Sequence, residues 1–355
     1  MKYTYFLFAT CLLCLFAACE PNFDLNAPRK DVTVVYGILN YQDSVAGHYV
    51  KIYRGFQPYG KNSVFIDAQN PDSIYYNPAD IEVIFQEYWD GKRTTRPNIK
   101  LEPTHDFPRD PGIFYYDDER IIYHTKEPIY KNRDYKIEVR NLRTGIVTRG
   151  ETAIVEDFKI KSNTIDMLGT RGAVAFTEAT HASGYEIHVS FIYFEVEKNP
   201  PHKVVGSGKI TKNITPTIGE TFPNDAMGDL RKEFPMTFYD DIAAELKVNP
   251  DVIRFIGTPT TPSAFEAEGW AASESMVKFL LSNRPSSSLT QVNILYTNLS
   301  ASDDGLAFGF LASRVKAQTM YFNIRDTSED ELVNGPKTGH LGFRPYLEWI
   351  QMNKE

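Results

Sequence analysis

The chain has 355 residues, with 46 acidic side chains against 38 basic ones and a formal net charge of -8. That charge is spread along the sequence and argues against nucleic acid, whose recognition needs a basic surface. The three cysteines are Cys11, Cys14 and Cys19, so the sequence beyond Cys19 offers no disulfide and no thiolate metal site.

The chain opens with Lys2, and from Tyr5 to Ala18 it carries neither a charge nor a proline. A basic start before a short apolar core is the layout of a secretory signal. The core falls short of the ~20 apolar residues that a permanent spanning helix needs. It stops at Phe16-Ala17-Ala18-Cys19, and Glu20, Pro21 and Asn22 follow at once. Small residues directly before a cysteine resemble a bacterial lipobox, with Phe16 in place of the usual Leu and Leu15 one position earlier. The resemblance implies that residues 1–18 are a lipoprotein signal peptide. It also implies that Cys19 becomes the mature N-terminus and is held to the membrane by diacylglycerol on its sulfur. Residues 19–31 then read as a polar tether, because no apolar period runs through them.

Beyond the tether, short β-rich runs alternate with Pro and Gly, so the chain reads as mainly β. Val32–Leu39 and His48–Arg54 are the first strands. In the second, Tyr49, Lys51 and Tyr53 alternate with Val50 and Ile52, the pattern of a half-buried strand. Further strands are predicted at Ile81–Tyr88, Arg93–Leu101, Ile113–Thr125, Asp134–Asn141 and Gly145–Val155. Asp90-Gly91 predicts a tight hairpin turn, since both residues accept positive φ, and Leu142-Arg143-Thr144-Gly145 joins another strand pair. Residues 32–157 are thus expected to form an immunoglobulin-like β-sandwich, complete by Val155, with a boundary at Glu156-Asp157.

A second fibronectin-III or immunoglobulin-like β-sandwich, with short helical insertions, is expected over 158–330. It opens with Phe158–Lys161 and Ala173–Thr177. Tyr185–Val196 follows, and its nearly continuous apolar middle predicts a central strand covered on both faces. Phe238, Ile242 and Leu246 repeat every four residues before Asn249-Pro250, so a helix is predicted at 238–248. Another is predicted at 273–282, with Met276, Phe279 and Leu280 on one side. Strands resume at Val292–Leu299, Leu306–Leu311 and Val315–Ile324. Residues 331–355 read as a C-terminal tail with a short helix, because Phe343, Tyr346, Leu347 and Ile350 share helical spacing and Pro345 suits a first turn.

The sequence contains no His-Glu-x-x-His, no phosphate-binding Gly-x-x-x-x-Gly-Lys completed by Ser or Thr, and no Gly-x-Ser-x-Gly elbow. Gly206-Ser207-Gly208 reads as a flexible turn rather than a nucleophile. No two of the seven histidines lie three, four or five residues apart, so no helix face carries two imidazoles for a metal. His181 and His188 meet only if tertiary structure brings them together; His188 alternates with Glu186 and Ser190, which suits the wetter face of a strand. Asp117-Asp118-Glu119 and Asp303-Asp304-Gly305 lack the spaced acids of a calcium loop and read as solvated turns. No metal, cofactor or catalytic residue is therefore expected. The aromatic pairs Tyr75-Tyr76, Tyr88-Trp89 and Tyr115-Tyr116 are the candidate contact residues: in an extended chain one member faces the core and the other is free to meet a sugar ring or a partner.

Taken together, the chain resembles a lipoprotein family of Bacteroidota described only as a domain of unknown function. The resemblance rests on Cys19 followed by Glu20-Pro21, the strand Val34-Val35-Tyr36-Gly37-Ile38-Leu39, and the Tyr135–Val155 hairpin. It rests also on Ile294–Leu299 preceding Gly305-Leu306-Ala307-Phe308-Gly309-Phe310. It covers most of the mature chain and carries over no catalytic residue. It implies a non-enzymatic binding or accessory lipoprotein of the outer membrane, working with a TonB-dependent nutrient transporter. A structural or adhesive, pilus-associated surface protein is the alternative, and an extracytoplasmic hydrolase with a carboxylate pair is a third reading. Asp43-Ser44-Val45 and Asp72-Ser73-Ile74 resemble the short O-glycan acceptor motif of exported proteins in that phylum, which makes Ser44 and Ser73 candidate modification sites. Glu20-Pro21-Asn22-Phe23-Asp24 only partly matches the acidic signal for surface display, so either face of the outer membrane stays open, as does the oligomeric state.

Overall fold

The computed structural model describes residues 30–43, 45–56, 68–106, 120–161, 165–214, 228–283 and 296–353; Cys19, Ser44, Tyr115, Tyr116 and the acidic run at 117–119 lie outside them. Alternation of side chains decides the first strands. β1 (Val32–Leu39) buries every second residue, and β2 (His48–Arg54) buries His48, Val50 and Ile52. β3 (Ile81–Trp89) ends in the expected hairpin: Asp90 and Gly91 take φ of 49° and 69°, and the chain returns as β4 (Lys92–Arg93). The run read as one strand from Arg93 to Leu101 is broken instead. Pro97 lacks the N–H a ladder needs, so β5 (Ile99–Lys100) rejoins β3 while β6 (Glu102–Thr104) crosses to β7 (Ile122–Thr125). β8 (Asp134–Asn141) and β9 (Val147–Ala153) form the second expected hairpin.

The remaining strands are β10 (Arg171–Phe176), β11 (Gly184–Glu197), β12 (Val204–Asn213), β13 (Leu230–Pro235), β14 (Val252–Ile256), β15 (Phe265–Ala272), β16 (Leu299–Ala301), β17 (Leu306–Lys316) and β18 (Met320–Phe322). The helices are α1 (Phe238–Glu245), α2 (Glu274–Ser282), α3 (Asp326–Asn334) and α4 (Tyr346–Met352). Gly206-Ser207-Gly208 is not a turn but the middle of β12, opposite Glu195, Phe194 and Tyr193. A Cβ on Gly208 would lie 2.3 Å from the end of the Tyr193 ring, so a larger residue there would have to push that ring aside. The two runs at 306–311 and 315–324 are likewise one strand, β17, followed by β18.

The protein is mainly β, a sandwich with a few short helices. A ten-stranded sheet runs β12-β11-β15-β17-β1-β2-β7-β6, with β14 also on β11 and β18 on β15. A six-stranded sheet, β16-β9-β8-β3-β4 with β5 on β3, faces its β1–β2–β7 half across a core that includes Val35, Val50, Phe85, Tyr135, Ile137 and Leu311. The β11–β15 half is covered by the two-stranded β10–β13 sheet and by helices, around Phe176, Phe191, Phe238, Phe265 and Val315. The C-terminal tail belongs to this second core, where Trp349 packs edge-on against Phe194 at 5.2 Å.

The first sandwich is not closed by Val155. β1 pairs in parallel with β17 over eight residues, Val32↔Leu306 to Leu39↔Ser313, and β16 adds to β9. Leu311 of β17 sits in the first core and Val315 in the second. Alternation reports that a segment is a strand but not which strand it pairs with, so the join across the boundary at 157 is invisible in the sequence pattern.

Ser313 ties the join together. Its hydroxyl donates to the Ala153 carbonyl at 2.5 Å and accepts the Val155 N–H at 3.0 Å, while its own N–H donates to Ser273 Oγ at 3.0 Å. The residue is wholly buried. Ser313→Ala strands both partners and should cost about 1–3 kcal/mol, read as a lower urea midpoint with an unchanged slope.

Candidate functional site

The outer face of the ten-stranded sheet carries the richest set of chemical groups. Strand alternation places Tyr36 and Ile38 of β1, Tyr49 and Lys51 of β2, Phe310, Arg314 and Lys316 of β17, and Trp270 of β15 on the side away from the cores. Across the register, Tyr36 meets Phe310, and Glu186 meets Trp270, which in turn meets Lys316. α2 lies over this face. Its Phe279 packs on Phe310 at 4.3 Å and on Tyr36 at 5.9 Å between ring centroids. The helix approaches closely because Gly184 below it has no Cβ; one would lie 2.7 Å from Val277.

Two clefts open on this face, one of them against α2. In the first, a cavity of about 560 Å³ lies between Trp270 and Tyr185 of the sheet and Met276, Val277 and Leu280 of the helix, with Glu186, His188 and Arg314 at its polar side. A second, open cleft of about 330 Å³ lies on the same face, lined by Tyr36, Tyr49, Ile122 and Phe310 beside Lys51 and Arg120. Tyr49 is stacked on His124, 5.7 Å away. Cavities of this size with mostly apolar walls and a few polar groups are what small-molecule sites look like. A third space of about 640 Å³, lined by Tyr88, Lys136, Glu151, His181 and Glu274, adjoins the Trp270 cleft, because Ser183 and Gly184, and again Ser275 and Met276, are consecutive residues lining one and then the other.

Charges around Trp270 are mostly matched. His188 Nε2 lies 2.9 Å from Glu186 Oε1, and its ring meets Trp270 edge-on at 5.2 Å. Lys316 Nζ sits 2.6 Å from Glu268 and 5.1 Å above the Trp270 ring. The hydrogen bond from Lys316 holds the Glu268 carboxyl below its usual range. Glu87 and Glu138 also lie low; burial pushes each up, but hydrogen bonds from Tyr135, Arg96 and Thr94 to Glu87, and from Arg140 and Arg149 to Glu138, outweigh it. A glycosidase general acid needs the opposite, a carboxyl held protonated. Among the described residues no group of three or more His, Cys, Asp and Glu is placed to hold a metal ion. Nor is any helix there long and apolar enough to cross a membrane.

The sequence candidates separate. Tyr75 and Tyr76 are both largely buried, 4% and 6% exposed, at the edge of a cavity of about 430 Å³ that Lys30, Arg54 and Arg143 also line. Two proline-led turns, at 71–73 and 78–80, fold this segment inward, so both rings are used for packing. The Tyr76 hydroxyl hydrogen-bonds Asp31 Oδ1 at 3.0 Å and Thr33 Oγ1 at 2.9 Å, and its burial pushes the phenol well up. Ser73 is 2% exposed, so its hydroxyl is closed to a glycan in the folded protein. Tyr88 and Trp89 do reach solvent at the hairpin end. Trp89 is 61% exposed beneath the Arg133 guanidinium at 4.9 Å, and Tyr88 lies under Lys136 Nζ at 4.6 Å. Tyr36, Tyr49 and Trp270 were missed as contact residues. The Tyr49-Lys51-Tyr53 alternation marked one outward face, but nothing local marks Trp270, since Glu266-Ala267-Glu268-Gly269 does not read as a strand.

No protein-family model matches the chain, and no curated protein does either.

Proposed function

We propose that this chain is an exported lipoprotein, anchored through Cys19, that works as a non-enzymatic binding or accessory component of a TonB-dependent uptake system at the outer membrane. The observation that carries the binding role is the aromatic outer face of the ten-stranded sheet, open as two clefts. The layout suits a tethered protein. The tether would enter at Asp31, whose carboxylate is fixed by Tyr76, Asn141 and Thr144, so the entry point is rigid. Arg314 lies about 26 Å along β17 from Leu306, the residue beside the start of β1, at ~3.3 Å per residue. The Trp270 cleft thus lies well along the sheet from the point where the tether would enter.

The test is affinity capture of the intact lipoprotein from outer membranes in a mild detergent. Wild type should bring down a transporter, and the pair Tyr36→Ala, Trp270→Ala should lose it while remaining folded. Capture of no transporter by the wild type sinks the accessory role. Cys19→Ala should release the folded protein from the membrane fraction, and continued attachment would show the lipid assignment to be wrong.

A further inference from the structure

We propose that the Trp270 cleft binds a small amphiphile with one anionic group, such as an alkyl carboxylic acid. The apolar part would lie between Trp270 and α2, and the carboxylate on Arg314. The proposal rests on this face being the binding surface and adds the chemistry of what it takes.

Three observations lead there. The walls that Met276, Val277, Leu280 and Trp270 form are apolar, and Leu280 keeps 45% of its surface exposed although it lines a cavity of about 560 Å³. Apolar surface held open to water in this way gains from being covered. The acids nearest the cleft are already held, Glu268 in an ion pair with Lys316 and Glu186 within hydrogen-bond reach of the His188 ring. Arg314, by contrast, is exposed and makes no ion pair with any described residue.

Arg314 is therefore the cation of the cleft that has no ionic partner among the described residues. A guanidinium presents two parallel N–H groups to a carboxylate, a stronger and more directional match than a single ammonium makes. The floor beside it is made by Gly184 and Ala272, opposite one another in the sheet, and Ala272 is in turn opposite Arg314. Val277 fills the space above Gly184, so it is small Ala272 that leaves room beside Arg314 for an acyl chain reaching towards Trp270. A sugar chain would need hydrogen-bonding groups on both walls, and the helix wall offers only Met, Val and Leu side chains.

The experiment is calorimetric titration of the full chain bearing Cys19→Ala with three ten-carbon probes below their micelle concentrations: decanoate, 1-decanol and decyltrimethylammonium. Decanoate should bind saturably at one site. Arg314→Gln should weaken it about tenfold, the loss expected for one charge-assisted hydrogen-bonded contact. Trp270→Ala should weaken decanoate and decanol alike, and decyltrimethylammonium should bind least. Equal binding of the cationic probe, indifference of decanoate affinity to Arg314→Gln, or tighter binding of a neutral oligosaccharide would each overturn the proposal. Decanoate binding in a protein that captures no transporter would leave the ligand assignment standing and remove only the accessory role.

Discussion

Gly309→Val should unfold both halves of the protein together. Gly309 sits in the middle of β17 at φ +92°, a conformation β-branched residues avoid, and a Cβ there would lie 2.0 Å from the Val35 carbonyl oxygen of β1. Neither side can give way, because Val35 and Gly309 are directly opposed in the parallel pairing that holds the two halves in one sheet. Strain and lost pairing together should cost more than about 3 kcal/mol, a large share of the ~5–15 kcal/mol that holds a typical domain folded. Urea unfolding followed at Trp89 and at Trp270, one in each half, should give coincident transitions in wild type and a much lower shared midpoint in the variant. If the Trp89 half melts first while the Trp270 half keeps its midpoint, β17 is not the joint between them.

That joint also explains which parts of the fold were legible. β1, β2, β3, β8 and β11 could be read because each buries one face regularly, or is covered on both, and the hydrophobic pattern follows burial directly. β12 and β15 could not. Their middles hold Gly206-Ser207-Gly208 and Glu266-Ala267-Glu268-Gly269, where small and charged residues are set by the neighbouring strand rather than by propensity. Glu266 is buried in an ion pair with Lys209, and Gly269 faces the Phe158 ring 3.0 Å from where its Cβ would be. β17 was split in two because Ser313 and Arg314 interrupt its apolar run. In the structure the first is a satisfied buried hydroxyl and the second points into a cleft.

The candidate site shows the same division. Trp89 could be picked out because a turn follows it, and turn ends are exposed. Tyr75 and Tyr76 looked equivalent in sequence but fold inward behind their two turns. The Trp270–Arg314 cleft is assembled from β11, β15, β17 and α2, whose residues are scattered over more than a hundred positions. No local pattern carries such a site; it exists only once the sheet order is known.

Glu87→Gln should be the costliest polar substitution at the hairpin end, and its cost should depend on pH. The Glu87 side chain, 7% exposed, accepts the Tyr135 hydroxyl at 2.7 Å, Arg96 at 3.1 Å and the Thr94 hydroxyl at 3.1 Å, and Arg133 Nε lies 3.8 Å away. Removing the charge leaves Arg96 with Glu127, itself largely exposed, as its one ion-pair partner among the described residues, so a loss of about 2–3 kcal/mol is expected at pH 7. The sign with pH follows from the folded carboxyl lying below its usual range. Its stabilisation is fully present above the unfolded value of about 4.3 and is lost as pH falls through the folded value. The gap between wild type and Glu87→Gln should therefore be wide at pH 7 and close progressively below about pH 4 in urea midpoints. Because the Glu87 carboxylate also faces the guanidinium that covers Trp89, the variant should shift Trp89 emission at pH 7, and acidified wild type should show the same shift. A gap that stays constant to pH 3 would mean that Glu87 serves this hairpin by shape and hydrogen bonding rather than by charge.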